Sequence, residues 1–298
     1  MKAAFIGLGV MGFPMAGHLA RAGHAVTVFN RSPGKAQAWA LAHGGRAAAS
    51  VADAAAGAEI VFLCVGDDAD VRAVATEALP AMAAGGIVVD HTTTSAVLAR
   101  EMASLAEASG RAFVDAPVSG GQAGAQSGQL TVMCGAAPQA FARAEPVIAA
   151  FAKAVRRIGG PGSGQLAKMV NQICIAGVVQ GLAEALHFAK RAGLDPAEVY
   201  AAISKGAAQS WQMDNRWATM TQGKFDFGFA VDWMRKDLGL VLDEGARNGA
   251  ALDMTRLVDG FYAEVQQMGG RRWDTSSLIA RLETPADAPS QPPPARRP

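Results

Sequence analysis

Cysteine is scarce in this chain: there are three in 298 residues, Cys64, Cys134 and Cys174. Each lies in an apolar run, and no two are spaced as metal ligands are. That argues against a disulfide scaffold or a zinc module and points to small core residues of a reducing compartment. Charge is scarce too, at 18% of residues with a formal sum of +1, and the two signs are interspersed. Without a basic block there is no footprint for nucleic acid, and without an acidic run there is no solvating arm. The longest apolar stretch, 164–192, is interrupted by Lys168, Asn171, Gln172, Gln180 and Glu184. That argues against a membrane span, which needs about 20 mainly apolar residues. The opening MKAAFIGLGVMG carries one Lys and is broken by glycines, unlike a secretory signal. No internal repeat is visible. The expectation is a soluble, cytoplasmic chain that binds no nucleic acid, membrane or metal. Half of its residues are hydrophobic, enough for the core of one large domain or two medium ones.

Residues 2–7 form a short apolar strand that runs into Gly7-Leu8-Gly9-Val10-Met11-Gly12, and an apolar-periodic helix follows to residue 22. This is G-x-G-x-x-G between a strand and a helix, the context in which it binds a dinucleotide. The first glycine permits the tight turn, the second lets the backbone approach a pyrophosphate, and the third lets helix and strand pack closely. The helix N-terminus then offers free N–H groups to the phosphates. The next strand, 25–29, ends in Asn30-Arg31-Ser32. An NAD-selective site usually carries Asp or Glu here for the ribose 2′-OH, whereas a guanidinium suits a 2′-phosphate. NADP(H) is therefore the preferred cofactor and NAD(H) the second choice. The plain alternative is a solvated Arg31 in the turn before Pro33-Gly34.

Strands and helices continue to alternate, with strands at 60–65, 87–90, 113–115 and 154–160 and a helix at about 69–82. That regular alternation predicts a mostly parallel, doubly wound sheet. Ligands of such sheets sit at the carboxyl ends of the strands, where Val65, Gly66 and Thr93 fall. His91 stands among helix-capping residues and reads as structural rather than as a base. Ser119-Gly120-Gly121 is a set of closely spaced N–H donors that can cradle a carboxylate, or else an ordinary turn.

The stretch 164–192 reads as one long helix, apolar on more than one face, and such a helix is expected to be buried between other elements. Lys168, Asn171 and Gln172 lie near its start at spacings that share a face. A buried Lys has a depressed pKa and can exchange a proton near neutrality. The alternative is a Lys snorkelling at the helix end beside an Asn that caps a neighbour. After Gly193 the pattern is helical at about 195–204, 211–221, 231–248 and 253–268. Trp211, Trp217 and Trp233 offer packing surface there, with Trp211 also a candidate pocket residue. The helical part holds more apolar surface than one domain of its size hides, so a homodimer or homotetramer is expected. The expected domains are 1–162, 163–285 and a disordered tail, 286–298, rich in Pro, Ala, Ser and Arg.

Four motifs stand in order: GLGVMGFPMAGHLARAGH at Gly7, DAPVSGGQAGAQSGQLTVMCG at Asp115, GSGQLAKMVNQ at Gly162 and KDLGL at Lys236. Together, over about residues 1–283, they resemble the β-hydroxyacid dehydrogenase family, which includes 3-hydroxyisobutyrate dehydrogenases and tartronate and succinic semialdehyde reductases. The resemblance implies an α/β fold, with an N-terminal Rossmann doubly wound sheet followed by an all-α domain on a long interdomain helix. It implies hydride transfer between a nicotinamide and a short carboxylic acid bearing a hydroxyl or carbonyl group. Position by position, it makes Lys168 the general acid/base and Asn171 its partner in placing the substrate. It makes Ser119, Gly120 and Gly121 the carboxylate cradle and sets Lys236 over cofactor and substrate. Gly7, Gly9, Gly12 and Thr93 would hold the dinucleotide, with Leu8, Val10 and Met11 in the same turn. Gln172 stands where many relatives have Asn, as in the tartronate semialdehyde reductase branch.

Two rival readings share these features. An imine reductase has the same fold and a similar Asn-Arg-Ser cofactor site, but generally lacks the catalytic Lys and the carboxylate cradle. A non-catalytic NADP-binding module would be expected to have lost Lys168 or Asn171. Both residues are retained, which favours the dehydrogenase.

Overall fold

The computed structural model describes residues 1–283, so the expected tail at 286–298 lies outside the described residues. The chain divides into two compact units, one ending at Lys168 and the next beginning at Met169. The first is built on nine strands: β1 (Lys2–Ile6), β2 (Ala25–Phe29), β3 (Arg46–Ala47), β4 (Ile60–Leu63), β5 (Ile87–Asp90), β6 (Ala112–Asp115), β7 (Val118–Ser119), β8 (Leu130–Gly135) and β9 (Ala152–Gly159). Between them run α1 (Gly12–Arg21), α2 (Pro33–His43), α3 (Val51–Ala55), α4 (Asp68–Ala81), α5 (Ala96–Ala108), α6 (Gly121–Ser127) and α7 (Pro138–Ile148).

The strand order is β3-β2-β1-β4-β5-β6-β8-β7, with β9 on β8. From β3 to β6 every pairing is parallel. Parallel strands covered on both faces read as continuous apolar runs, and β4 and β5 are buried at every residue. Two apolar clusters hold the helices to the sheet, one around Phe5, Met15 and Trp39, the other around Val61, Leu63 and Met102. The order reverses direction between β1 and β4, the switch point at which such sheets open a crevice. The sheet's far end departs from a purely parallel plan, because β8 runs antiparallel to β6 and β7. Ser119-Gly120-Gly121 is accordingly no free loop: Ser119 ends β7, Gly120 (φ +126°) caps α6, and Gly121 begins it.

The long helix α8 (Ser163–Arg191) crosses the boundary. The second unit adds α9 (Pro196–Ile203), α10 (Trp211–Thr221), α11 (Val231–Asn248), α12 (Asp253–Gln267) and α13 (Leu278–Glu283). Ala176, Val179, Leu182, Ala183 and Leu186 of α8 join a core with Trp217, Met234, Leu238, Tyr262 and Val265. The expectation that α8 is buried all round fails. Val170, Cys174, Val178 and Phe188 are exposed, Phe188 by 71%. Val170, Cys174 and Val178 are four apart, and Phe188, ten residues on, returns to the same side, which no described element of this unit covers. Cys174 is therefore not a core residue, although all three cysteines are free. Of the three expected packing tryptophans only Trp217 is buried; Trp211 and Trp233 are 55% and 42% exposed.

Candidate active site

The Gly7–Gly12 turn is shaped by α1, β1 and the end of β4. Gly7 has φ +98°, which favours glycine, and a side chain there would collide with the Cys64 carbonyl of β4's carboxyl end. A side chain on Gly12 would collide with the Gly7 carbonyl oxygen. Gly9, by contrast, faces open space, with no atom within 4 Å of a Cβ placed there. The first and third glycines thus shape the turn, and the second leaves room for a ligand. The start of α1 has no acidic residue in its first turn and no side-chain cap. Its N–H groups and partial positive charge suit phosphate oxygens. These residues fit a dinucleotide pyrophosphate.

Asn30 follows the end of β2, and its amide is engaged within the protein. The backbone N–H of Leu8 donates to its Oδ1 at 2.9 Å, and its Nδ2 donates to the Ser32 carbonyl at 3.1 Å. Asn30 therefore braces the glycine turn against the end of β2. Arg31 is the extended cation here, with its side chain 91% exposed and Nη1 3.9 Å from Asp70 Oδ1. Ser32 precedes α2 without capping it through its side chain. Past β4, the Val65 N–H donates to Thr92 Oγ1 at 3.0 Å and the Gly66 N–H to Asp70 Oδ2 at 3.2 Å. Met11 and Thr93 are partly exposed and Val10 strongly so.

Residues without an assigned role in the motifs hold the start of α8. The Asp115 carboxylate accepts backbone N–H groups of Gly162 at 2.8 Å and Gln165 at 3.0 Å. Burial pushes this carboxyl up to about 6, against the downward pull of those backbone hydrogen bonds. Gln165 is fully buried. Its Nε2 donates to the Thr92 carbonyl at 2.8 Å, and its Oε1 accepts the Thr94 N–H at 3.0 Å. The first turn of α8 is thereby fastened to the ends of β5 and β6. Lys168 follows three residues later on the same helix, 8% exposed. Desolvating an ammonium is costly, and Lys168 is buried rather than standing at the surface. His91 is not a base of this site. It is stacked on Phe62 with a centroid separation of 5.7 Å, its Nδ1–H donates to the Ala116 carbonyl at 2.7 Å, and burial pushes it down to about 4.

In the second unit a hydrogen-bonded chain links the other polar candidates. Asn171 Nδ2 donates to Gln172 Oε1 at 2.8 Å, and Gln172 Nε2 donates to Asp237 Oδ2 at 2.7 Å. Lys236 Nζ lies 3.1 Å from Asp237 Oδ1. Gln172 and Asp237 are both buried, so the pair fixes where Asn171 and Lys236 stand. Trp211 is not brought into this chain; it begins α10 with the Arg216 guanidinium 5.1 Å from its ring centroid.

Two family descriptions match the sequence. The NAD binding domain of 6-phosphogluconate dehydrogenase matches residues 2–160, and the NAD-binding domain of NADP-dependent 3-hydroxyisobutyrate dehydrogenase matches residues 162–282. A Shewanella frigidimarina protein named only as an uncharacterized oxidoreductase is 61% identical over 95% of this chain and 98% of its own length. A probable 3-hydroxyisobutyrate dehydrogenase-like protein of Arabidopsis thaliana is 40% identical over 95% of this chain and 85% of its own. The structure of Mycobacterium tuberculosis 3-hydroxyisobutyrate dehydrogenase with L-serine superposes with a TM-score of 0.87 at 33% identity, covering 95% of this chain and 99% of that one. The chain belongs to the β-hydroxyacid dehydrogenase family.

As a β-hydroxyacid dehydrogenase it is an oxidoreductase that uses a nicotinamide dinucleotide, and the Gly7–Gly12 turn is where this chain's geometry fits that cofactor. Three positioning residues went unassigned in the sequence reading: Asp115, Gln165 and Asp237. Asp115 and Asp237 stand inside quoted motifs, and Gln165 stands three residues before Lys168. The available signal was a polar residue embedded in an apolar, glycine-rich motif, which is costly to bury without a partner.

Proposed function

We propose that this β-hydroxyacid dehydrogenase interconverts a short semialdehyde acid and its hydroxy acid, with NADP(H) preferred over NAD(H). The observation that carries the reading is Lys168, buried on a helix whose first turn is anchored at the carboxyl ends of the sheet by Asp115 and Gln165. The bound nicotinamide supplies the hydride for reduction, or accepts it in oxidation. Lys168 Nζ delivers the proton to the oxygen at the reacting carbon and takes it back in reverse. Asn171, one turn further along the same helix, orients the substrate and Lys168. The Ser119, Gly120 and Gly121 segment holds the substrate carboxylate through backbone N–H groups; Lys236 serves substrate and cofactor, and Trp211 serves the substrate. Arg31 pairs with the 2′-phosphate of NADP(H), since a planar, permanent cation is favoured there and no acidic residue replaces Asn30. The exposed apolar side of α8 supports self-association into a dimer or tetramer.

Initial rates with NADPH and NADH against succinic, tartronate, malonic and methylmalonic semialdehydes, glyoxylate and one cyclic imine test the reading. A semialdehyde turned over faster with NADPH supports it and names the branch. Turnover of the imine alone refutes the roles given to Lys168 and the carboxylate segment. No turnover, with tight NADPH binding, makes the chain a non-catalytic module.

A further inference from the structure

His18 lies in the last turn of α1, the helix that begins at the glycine turn. Its Nε2 lies 3.0 Å from the carbonyl oxygen of Ala125 and 3.1 Å from that of Gln126, both in the last turn of α6. Carbonyls only accept, so Nε2 carries the proton. Nδ1 is then a bare acceptor, and Arg21 Nη2 donates to it at 2.8 Å. Arg21 thus selects the tautomer that serves α6. The contact is also steric. Gly128, which ends α6 with φ +69°, sits against the His18 ring, and a Cβ there would lie 3.0 Å from it. Within the first unit α6 is short, lacks a side-chain cap at its start, and carries small residues, GQAGAQS. One face of α6 is packed, with Gly124 and Ala125 buried and Gly124 against Leu130; the His18 bridge adds a polar tie at its other end. The His18 bridge spans 107 residues of sequence and ties α6, with Ser119-Gly120-Gly121 at its head, to the helix that carries the dinucleotide turn.

We propose that His18 is a positioning residue for the substrate carboxylate: by fastening α6 to α1, it sets the Ser119-Gly120-Gly121 segment at a fixed place relative to the cofactor turn. This rests on the reading of that segment as the carboxylate holder. The role assigned is positioning: His18 acts through α6. A misplacement of about 1 Å in a binding group costs up to roughly a hundredfold in rate, so loss of the bridge is expected to raise the acid's KM about tenfold.

The test compares wild type with His18→Ala and His18→Gln, using NADPH and two substrates, succinic semialdehyde and its uncharged methyl ester. Wild type is expected to prefer the acid. His18→Ala should lose about tenfold in kcat/KM on the acid, mostly through KM, with the ester and NADPH affinity unchanged. His18→Gln, whose amide N–H reaches as far as Nε2, should restore the acid. An equal loss on acid and ester, weakened NADPH binding, or no loss at all would overturn the positioning role. If wild type itself shows no preference for the acid, the carboxylate reading fails first and takes this inference with it. Should His18→Ala not fold, His18→Asn against His18→Gln asks the same question, because the shorter amide stops short of the Ala125 carbonyl.

Discussion

The first unit contains a buried histidine that should cost it stability in mild acid. His91 is 3% exposed, its ring is flanked by Phe62 and Phe151, and its Nε2 has no hydrogen-bond partner among the described residues. Burial lowers its pKa from 6.5 to about 4. The folded protein therefore keeps the ring neutral where the unfolded chain takes up a proton. The stability this represents is present above pH 6.5 and is lost as pH falls toward 4. At about 1.36 kcal/mol per unit, the full loss is about 3 kcal/mol, and about 2 kcal/mol of it falls between pH 7.5 and 5. Asp115 works in the opposite direction. Its carboxyl is raised from 3.8 to about 6, so the folded state binds a proton there more tightly than the unfolded chain does. Lowering the pH from 7.5 to 5 should return about 1.4 kcal/mol. The two groups oppose each other, so their combined change over this range is under about 1 kcal/mol.

The perturbation is His91→Phe, which keeps the stacked ring and removes the titration. At pH 7.5 it should cost about 1–2 kcal/mol for the lost hydrogen bond to the Ala116 carbonyl. At pH 5 that gap should vanish or reverse, because the variant keeps the Asp115 gain without the His91 loss. The readout must belong to the first unit, since a two-unit chain does not unfold as one transition. Trp39 is the one tryptophan among the first 168 residues and is fully buried. Urea unfolding followed by the 19F resonance of 5-fluorotryptophan at that position reports the right unit. Stability curves of wild type and variant that stay parallel within about 0.5 kcal/mol, the usual scatter of additivity, from pH 7.5 to 5 would refute the reasoning.

Other expectations follow from the site. Lys168→Ala should lower kcat by ~100- to 10,000-fold, the range for a lost general acid–base, with the NADPH Kd unchanged by fluorescence titration; near-normal turnover would remove Lys168 from the mechanism. Arg31→Ala should raise the KM for NADPH about tenfold, the scale of one charge-assisted hydrogen bond, and leave NADH untouched; equal effects on both would dismiss the 2′-phosphate role. Gln165→Leu strands the Thr92 carbonyl and the Thr94 N–H in a buried place and should destabilise the first unit by about 2–4 kcal/mol, read by the same Trp39 unfolding curve. Gly12→Ala drives a methyl into the Gly7 carbonyl and should abolish NADPH binding in calorimetry.

Much of this was legible in the sequence wherever the physics is local. The expected helices 211–221 and 231–248 match α10 and α11 because their ends are chemically marked. Ser210 caps α10 through Met213 N–H, and Gly249 closes α11 at φ +80°. The glycine turn was legible for the same reason, since strand, turn and helix are adjacent. What could not be read depends on partners far along the chain. Nothing near LTVMCG tells an antiparallel strand from a parallel one, and a two-residue partner, β7, has no pattern of its own. The apolar residues of α8 state a composition but not which neighbour covers them, so a helix expected to be buried between other elements leaves Val178 and Phe188 exposed.

The polar residues around Lys168 show the same limit more sharply. Gln165 and Asp115 are 50 residues apart, and Gln165 and Thr92 are 73 apart. Neither bond leaves a periodic trace. Yet these are the contacts that decide whether Lys168 stands at the sheet's carboxyl edge or drifts with a free helix end. A motif lists residue types that chemistry needs; its spacing records the local geometry that presents them. The long-range polar clamps that hold that geometry are written only as isolated Asp, Gln or His letters. A letter of that kind in an apolar, glycine-rich setting is the sequence's trace of a clamp, because such a group is buried at a cost of about 1–3 kcal/mol unless something meets it. Asp115, Gln165, Asp237 and His18 all stand in such settings, and each is met by a partner from another element.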